Sequence, residues 1–346
     1  MLLSYSYVAS VLPVWTLLQP RDYINSLQLI SALGLIVLGL CAAAFMGYTP
    51  PGGTAQELEF VAPAFQWHPE GAPMIFPFLF ITIACGAVSG FHALISSGTT
   101  PKLIASEGDA PMIGYGAMLM EAFVAIMALV GASILDPGVY FTMNSPTALI
   151  GTDAASASAA VTAMGFPISA DTIAQTARDV GEHTIISRAG GAPTLAVAMA
   201  EIFSHVVGGP TMKAFWYHFA ILFEALFILT AVDAGTRAGR FMLQDLIALV
   251  VPAFKHSDSH MPGIIATALC VAAWGFFLYQ GVTDPLGGVN TLWPVFGISN
   301  QMLAAIALML GTAVLFRMKR DRFAWVTMLP TVWLLICTLS AGWLKL

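Results

Sequence analysis

Runs of about 20 apolar residues recur along the whole chain, and they constrain its fold more than any other feature. A helix of about this length crosses the roughly 30 Å hydrocarbon core of a bilayer. Of the 346 residues, 58% are hydrophobic and 9% are charged, whereas about 25% are charged in a soluble domain. The sequence therefore predicts an all-α, polytopic membrane protein folded as a helical bundle within the lipid bilayer.

The charged residues and cysteines exclude several other classes of protein. The chain has 13 Lys+Arg against 19 Asp+Glu, so no basic face is available for a nucleic acid. The four cysteines stand singly in apolar stretches, at Cys41, Cys85, Cys270 and Cys337. This spacing indicates neither a disulfide framework nor a structural zinc site. A phosphate-binding loop is absent as well, and we predict no cofactor and no metal site.

The apolar windows give a first topology. They lie at about 1–18, 27–46, 74–97, 112–134, 192–208, 214–233, 262–280, 293–316 and 323–344. Lys and Arg mark cytoplasmic loops, and we place the loop that contains Arg21 there. If the short window 192–208 crossed the membrane, the basic residues at 237–240 and 317–322 would lie outside. They lie on the cytoplasmic side only if this window enters the membrane and returns to the same side. We therefore predict about eight spans plus a re-entrant half helix, with a plain ninth span as the alternative.

The chain is predicted to be one membrane transport domain, 1–346, with two long connections. The segment 135–191 reads as an extracytoplasmic loop, because long loops cross the membrane despite positive charge. The segment 235–260 is too polar at its start to span, and it reads as a cytoplasmic linker with an interfacial helix. Asp233 is expected at the end of its helix, in a solvated ion pair with Arg237.

Three carboxylates lie inside apolar windows: Glu121, Glu201 and Glu224. An ionisable group in mid-membrane costs at least about 2.5–3.5 kcal/mol, which makes each one a functional candidate. Small residues share the helical face of Glu121, and such faces pack closely on protein. We therefore expect Glu121 inside the bundle, either as a proton carrier or as a protonated side chain that only fixes packing.

Glu201 and His205 are four residues apart and share one face of a helix. Together they could exchange a proton. Two such ligands bind zinc poorly, so a metal is not expected. Glu224 is a third candidate for proton coupling, and His218 lies well around the helix from it.

Gly, Ser and His concentrate in the stretch Cys85–His92 and in the Ser/Thr/Gly/Pro cluster that follows it. This mixture favours a helix that is broken at membrane depth, where freed N–H groups attract a carboxylate. The candidate substrate-binding residues are Ser89, Gly90, His92, Ser96, Ser97, Thr99 and Asn300. Asn300 belongs to a second mixed stretch, Trp293–Gln301, which is equally consistent with an interruption and with close helix packing.

Several of these strings resemble the carbon starvation protein A family. They are Ser89–Lys102 (SGFHALISSGTTPK), Ile113–Leu119 (IGYGAML), Phe215–Phe227 (FWYHFAILFEALF) running into Asp233–Arg237, and Leu292–Ala304. The similarity extends over nearly the whole chain. It matches the later part of the longer family sequence, so we expect a fragment that lacks N-terminal helices, or half of a split transporter whose partner chain carries them.

The resemblance implies a bacterial inner-membrane transporter linked to peptide uptake and to proton-coupled pyruvate uptake under carbon starvation. It also implies the amino acid–polyamine–cation (LeuT-like) plan, with inverted repeats and broken helices around a central site. The segment 92–100 and the helix of Glu121 then belong to the transport core.

The sequence as a whole predicts a secondary transporter rather than an enzyme. Its substrate is a small carboxylated nutrient, pyruvate or a short peptide, and Glu121, Glu224, Glu201 and His205 are the candidate proton-coupling residues. Alternatives are a channel-like membrane protein and a non-functional fragment. An intramembrane enzyme needs a nucleophile and a base, which only the pair Glu201 and His205 approaches.

Overall fold

A computed structural model describes residues 1–46, 74–83, 86, 88–98, 100–102, 104–206, 208–254, 260–284 and 288–345. This part of the chain contains helices and turns and no strand, which confirms the all-α prediction. The α-helices are α1 (Leu2–Val11), α2 (Val14–Met46), α3 (Ile75–Ile83), α4 (Gly90–Gly98), α5 (Ala110–Ile134), α6 (Pro137–Asn144), α7 (Thr147–Ile150), α8 (Ala154–Ala163), α9 (Ala170–Asp179), α10 (Gly191–Val206), α11 (Lys213–Ala248), α12 (His260–Thr283), α13 (Gly288–Arg317) and α14 (Ala324–Lys345).

Six segments of the described chain are long and apolar enough to cross a membrane. They are Val14–Ala42, Glu107–Ile134, Pro210–Ala248, Met261–Thr283, Leu292–Arg317 and Asp321–Lys345. The chain is therefore a multi-pass membrane protein, as predicted. The expected count of eight spans is not confirmed, because α3 and α4 have nine residues each and α10 has 16.

The first two apolar windows are divided differently from the prediction. α1 ends just before Pro13, and α2 then runs without a loop through Arg21. The loop expected at Arg21 is therefore wrong. The polar residues there stay helical because α11 offers them partners: the Thr230 hydroxyl donates to Asp22 Oδ1 (3.2 Å) and accepts from Asn25 Nδ2 (3.3 Å).

The first of two compact units comprises Met1–Val11, Phe65–Ile113 and Asp233–Leu346. Within it, α13 and α14 form a helical hairpin, and the hydroxyls of Thr312 and Thr327 lie 2.7 Å apart beside the turn. α3 and α4 pack on this hairpin, while α12 packs on α13 and on α1. The unit therefore gathers both halves of the predicted broken helix against α13.

The second unit comprises Leu12–Ala64 and Gly114–Val232. α10 packs along α2, and the approach is close because a Cβ on Gly39 would lie 3.1 Å from Ile202 Cγ2. One buried core joins α10 and the start of α11 to the short helices α6–α9. Its largest fully buried side chains include Met143, Ile150, Val161, Ile173, Val180, Met199 and Tyr217.

The segment 135–191, expected as a loop, forms the short helices α6–α9. The side chains of Asp136, Asp153 and Ser169 accept hydrogen bonds from backbone N–H groups at the starts of α6, α8 and α9. Such caps satisfy donors that have no partner within the helix. The segment is thus a packed helical layer, and its side of the membrane stays a prediction.

The helix expected to end near residue 233 runs on to Ala248 within α11. The first part of the expected linker 235–260 is therefore helical, which corrects that prediction. Its polar side chains do not break the helix because Thr236, Arg237 and Gln244 are buried against neighbouring helices. Residues 255–259 lie outside the described chain, and the cytoplasmic side of this connection stays a prediction.

Candidate functional site

The helix predicted to break at membrane depth is interrupted. α3 ends at Ile83 and α4 begins at Gly90, while residues 84, 85 and 87 lie outside the described chain. Gly90 sits directly against α13, because a Cβ there would overlap the backbone oxygen of Asn300 and lie 2.5 Å from Leu303 Cβ. Glycine is therefore required for α4 to begin at this point.

Asn300 and Ser89 cap the start of α4. The Phe91 N–H donates to Asn300 Oδ1 (2.8 Å), and the His92 N–H donates to Ser89 Oγ (3.3 Å). The Ser89 hydroxyl lies 3.5 Å from the same Asn300 oxygen. The backbone N–H groups of Phe91 and His92, which were expected to bind a solute carboxylate, are thus already hydrogen bonded within the protein. A carboxylate at this helix start would have to displace Asn300 and Ser89.

The remaining predicted substrate residues are arranged less closely. His92, Ser96 and Ser97 are exposed. The hydroxyls of Ser96 and Ser97 donate to carbonyl oxygens one turn earlier in α4, at 3.0 and 3.3 Å. Thr99 lies outside the described residues. The structure therefore brings Ser89, Gly90 and Asn300 together.

The end of α3 is held by side chains of α13. Trp293 Nε1 donates to the carbonyl oxygen of Thr82 (2.9 Å), and Gln301 Nε2 donates to that of Phe80 (3.4 Å). α13 is continuous through Gly297, where a Cβ would overlap the Ile81 carbonyl oxygen. Of the two readings of Trp293–Gln301, close packing is the one observed. The capping roles of Trp293 and Gln301 were missed, because only the facing helix reveals them.

Glu121 is exposed on α5, and so are Gly114, Ala117 and Ala125 on the same helix. The expectation that this small-residue face packs inside the bundle is therefore wrong for the first half of α5. Val124, Met127 and Ala128 are half-buried, and the fully buried residue of α5 is Gly131, where a Cβ would lie 3.3 Å from Ala198 Cβ of α10.

Glu224 lies half-buried on α11. In the described part of the chain, neither a hydrogen bond nor an ion pair reaches its carboxylate. Its neighbour Phe223 lines a small apolar cavity of the second unit, together with Leu29, Ala32, Leu33, Ile36, Val124, Met127, Ala128 and Leu195. Glu224 itself is not among the lining residues.

Glu201 is paired with a lysine that the sequence reasoning did not use. Lys213 Nζ lies 2.6 Å from Glu201 Oε2 and 3.6 Å from Asp179 Oδ2, and its side chain is only 8% exposed. The expected pairing with His205 lies outside the described side chains. Lys213 begins α11, after the turn formed by Gly208 and Gly209 at positive φ. A basic residue at the edge of an apolar window, just after a turn, was the available signal.

Asp233 and Arg237 are buried, at 0% and 6% exposure. The predicted solvated ion pair at a helix end is therefore wrong, because α11 continues past both residues. Arg237 Nη2 donates to the carbonyl oxygen of Ala9 (2.9 Å), and Arg240 Nη1 donates to that of Ser10 (2.9 Å). These carbonyls end α1, where they have no partner within the helix.

Among the described residues, no group of three or more His, Cys, Asp or Glu side chains is placed to hold a metal ion. The polar features of the first unit are an interrupted membrane helix and buried arginines, and those of the second unit are partly buried carboxylates and a buried lysine. Features of these kinds are typical of solute and ion pathways through membranes.

Residues 1–341 match the protein family described as "Carbon starvation protein CstA". The chain belongs to the carbon starvation protein CstA family. It is 61% identical over 350 residues to "Peptide transporter CstA" of Escherichia coli (strain K12), an alignment that covers 100% of the chain and 49% of that relative. It is 55% identical over 367 residues to "Pyruvate/proton symporter BtsT" of the same strain, covering 100% and 50%.

A more distant CstA family relative, "Peptide transporter CstA" of Bacillus subtilis (strain 168), is 33% identical over 347 residues, covering 98% of the chain and 52% of the relative. The chain thus spans about half the length of the curated relatives it matches. No solved structure matches it. The resemblance noted in the sequence is therefore confirmed at the level of the family.

Proposed function

We propose that the chain is the transport core of a secondary transporter in the bacterial inner membrane, which takes up peptides or pyruvate together with protons during carbon starvation. The observation that carries this proposal is the similarity along the whole chain to relatives named for peptide transport and for pyruvate/proton symport. Because the chain spans about half of each relative, a separate chain or segment with further helices is a proposed partner.

The interrupted helix supports a solute path. Non-helical backbone survives at membrane depth only where protein or a water-filled cavity surrounds it. The gap between α3 and α4 is bordered by Ser89, Gly90 and Asn300, and we propose the solute site beside them. Breaks of this kind are a feature of the LeuT-like plan, which we propose for the complete bundle, with eight spans and one half helix.

The short helix α10 is the proposed half helix. Its 16 residues extend about 24 Å at 1.5 Å per residue, less than the roughly 30 Å hydrocarbon core. Its middle is buried, with Ala196, Met199 and Ala200 at most 1% exposed. A helix that is both too short to span and enclosed by protein fits a re-entrant element.

The proton-coupling residues we propose are Glu224, Glu121, Glu201 and His205. Glu224 is the strongest of them, because it is an intramembrane carboxylic acid without a polar partner in the described part of the chain, and such acids commonly mark ion pathways. Glu201 differs, since Lys213 Nζ lies 2.6 Å from its carboxylate oxygen. Loading and release of a proton would then alternate with access to the solute from each side.

Uptake measurements test this proposal. In cells that produce the protein and lack other uptake systems, we expect saturable entry of labelled pyruvate or dialanine, faster at acidic external pH and abolished by an uncoupler. Glu224→Gln should remove the pH dependence and leave the amount of protein in the membrane unchanged. Glu107→Gln is the matched control, because Glu107 is an exposed residue ahead of α5. Entry that does not saturate would indicate a channel and overturn the proposal.

A further inference from the structure

A polar junction lies in the first unit where α1, the second half of α11 and α12 meet. Arg240 contacts all three helices. Its Nη1 donates to the Ser10 carbonyl oxygen of α1, and its Nη2 would lie 2.9 Å from a Cβ on Gly263 of α12. Arg237, one turn earlier on α11, donates to the Ala9 carbonyl oxygen. Two guanidinium groups are therefore anchored side by side at the end of α1.

Buried hydrogen-bond donors lie on the two helices that these guanidinium groups join. The hydroxyls of Ser6 and Ser10 belong to residues with 0% exposure, and they find no hydrogen-bond partner in the described part of the chain. The same holds for Nε2 of Gln244, whose Oε1 accepts from Arg240 Nε (3.4 Å). Buried polar groups without a partner are rare in proteins. Three of them on α1 and α11 indicate a place for a ligand.

The charge of the junction and its hydrogen-bond donors favour a negatively charged ligand. The junction contains one carboxylate, Asp233, which is fully buried one helical turn before Arg237. The two arginines and Asp233 together carry one more positive than negative charge. The side-chain amide of Gln244 and the hydroxyls of Ser6 and Ser10 can each donate a hydrogen bond. A cation would meet two guanidinium groups, and a neutral solute would leave the positive charge unbalanced. A carboxylate accepts such donors and pairs with the guanidinium fork of arginine.

The junction also borders the interrupted helix. Gly235 lies between Asp233 and Arg237 on α11, and a Cβ on it would come within 2.8 Å of the ring of Phe91. Phe91 is the second residue of α4, and its N–H is already bound to Asn300. The start of α4, where the sequence analysis expected a carboxylate, is thus already hydrogen bonded to Asn300 and Ser89. Buried donors without a partner among the described residues lie on the neighbouring helices α1 and α11.

We propose that this junction binds the carboxylate of the transported solute, with Arg237 as its counter-charge and with Ser6 and Ser10 as hydrogen-bond donors. The proposal rests on the proposed transport function and adds to it a binding group on α1 and α11. The ligand class is a monocarboxylate. Pyruvate and the carboxyl terminus of a short peptide both present it, so one site serves either solute.

The double variant Ser6→Ala, Ser10→Ala tests the site. If the hydroxyls bind the solute, their loss should raise the KM for uptake by at least about tenfold, the amount expected for a hydrogen bond to a charged group. The same variant should denature at a slightly higher temperature without ligand, because it removes buried hydroxyls without partners. Ser4→Ala is the matched control, since Ser4 is exposed on the same helix.

Purified protein gives a second measurement, in which pyruvate should raise the denaturation temperature and pyruvamide should not. Dialanine and its amide form the corresponding pair for a peptide. We expect the carboxylate-dependent shift to be lost in the double serine variant and retained in Ser4→Ala. Arg237→Lys keeps the charge and removes the fork, and it should also raise the KM.

The outcomes separate this site from the function on which it rests. If the wild-type protein takes up neither labelled pyruvate nor labelled dialanine, the proposed function fails and the site fails with it. If the wild type takes up either probe and the double serine variant does so with an unchanged KM, the site alone is overturned. An equal denaturation shift with a carboxylate and with its amide likewise rules out a carboxylate site.

Discussion

Three charged side chains of the membrane helices are buried in the described part of the chain. Lys213, Asp233 and Arg237 stand at the edges of apolar windows, where charges usually mark loops. All three are buried. Lys213 pairs with Glu201 and Asp179 of the preceding segments, whereas Arg237 donates to a carbonyl oxygen 228 residues away. A pattern along one segment cannot reveal these contacts, whereas the intramembrane carboxylates can be found from composition alone.

Replacing Lys213 with Met should destabilise the second unit. The change leaves Glu201 and Asp179 without the cation that lies 2.6 and 3.6 Å from them. We expect the free energy of unfolding to fall by about 1.5–3 kcal/mol, the usual contribution of hydrogen bonds to charged groups. Denaturation of the purified protein measures this. Lys345→Met, at an exposed lysine, should have little effect.

A second change shows whether the loss belongs to the ion pair. Adding Glu201→Gln to Lys213→Met removes the carboxylate left behind, so part of the lost stability should return. If the two losses simply add, Lys213 and Glu201 do not stabilise each other.

At the scale of elements, the interruption between α3 and α4 could be predicted from the sequence. The contacts from α13 that cap the two helix ends could not. Gly, Ser and His at membrane depth announce a break, and α4 begins at Gly90 as that composition suggests. The residues that cap the break come from α13, about 200 positions away. The long helix α11 was missed because its polar second half resembles a linker until its burial is seen.

Gly90→Ala should disrupt the packing of α4 on α13. The added methyl group would overlap the Asn300 carbonyl oxygen and Leu303 Cβ, so we expect a loss of about 1–3 kcal/mol from overpacking. Thermal denaturation would show it, together with reduced uptake. Gly98→Ala in the same helix is the matched control, because a Cβ there meets no atom within 4 Å. Equal stability of the two variants would contradict the close approach.

The cap of α8 should depend on pH. Hydrogen bonds from the Ser156 side chain and backbone lower the pKa of Asp153 below its ordinary value of 3.8. A lowered pKa means that the cap stabilises the folded state above pH 3.8 and loses this effect as the pH falls through the folded-state pKa. Hydrogen exchange at the Ala155 and Ser156 amides should accelerate there. Asp153→Asn should show no such acceleration, and a pH-dependent response in that variant would refute the assignment.

At the scale of the whole molecule, the family and the membrane class follow from sequence, while the topology needs the structure. Arg21, Arg237 and Arg240 were counted as loop charges, but they lie inside α2 and α11. The described basic turn that remains lies between α13 and α14. It contains Arg317, Lys319, Arg320 and Arg322. Orientation by positive charge rests mainly on this turn.

We expect the turn between α13 and α14 to face the cytoplasm. In a Met318→Cys variant, the thiol at this exposed position should resist a membrane-impermeant maleimide in intact cells and react after permeabilisation. The native cysteines are replaced first, since Cys41 is also exposed. Labelling in intact cells would show that this turn faces the outside and that the predicted orientation is wrong.

The arginine contacts at the end of α1 have a mechanical consequence. Two guanidinium groups of α11 donate hydrogen bonds to consecutive carbonyl oxygens of α1. If either segment slid past the other, these carbonyl oxygens would lose their hydrogen bonds in an apolar environment, which is costly. We therefore expect α1 and residues 233–248 to keep their relative position and to move together in any conformational change of the first unit.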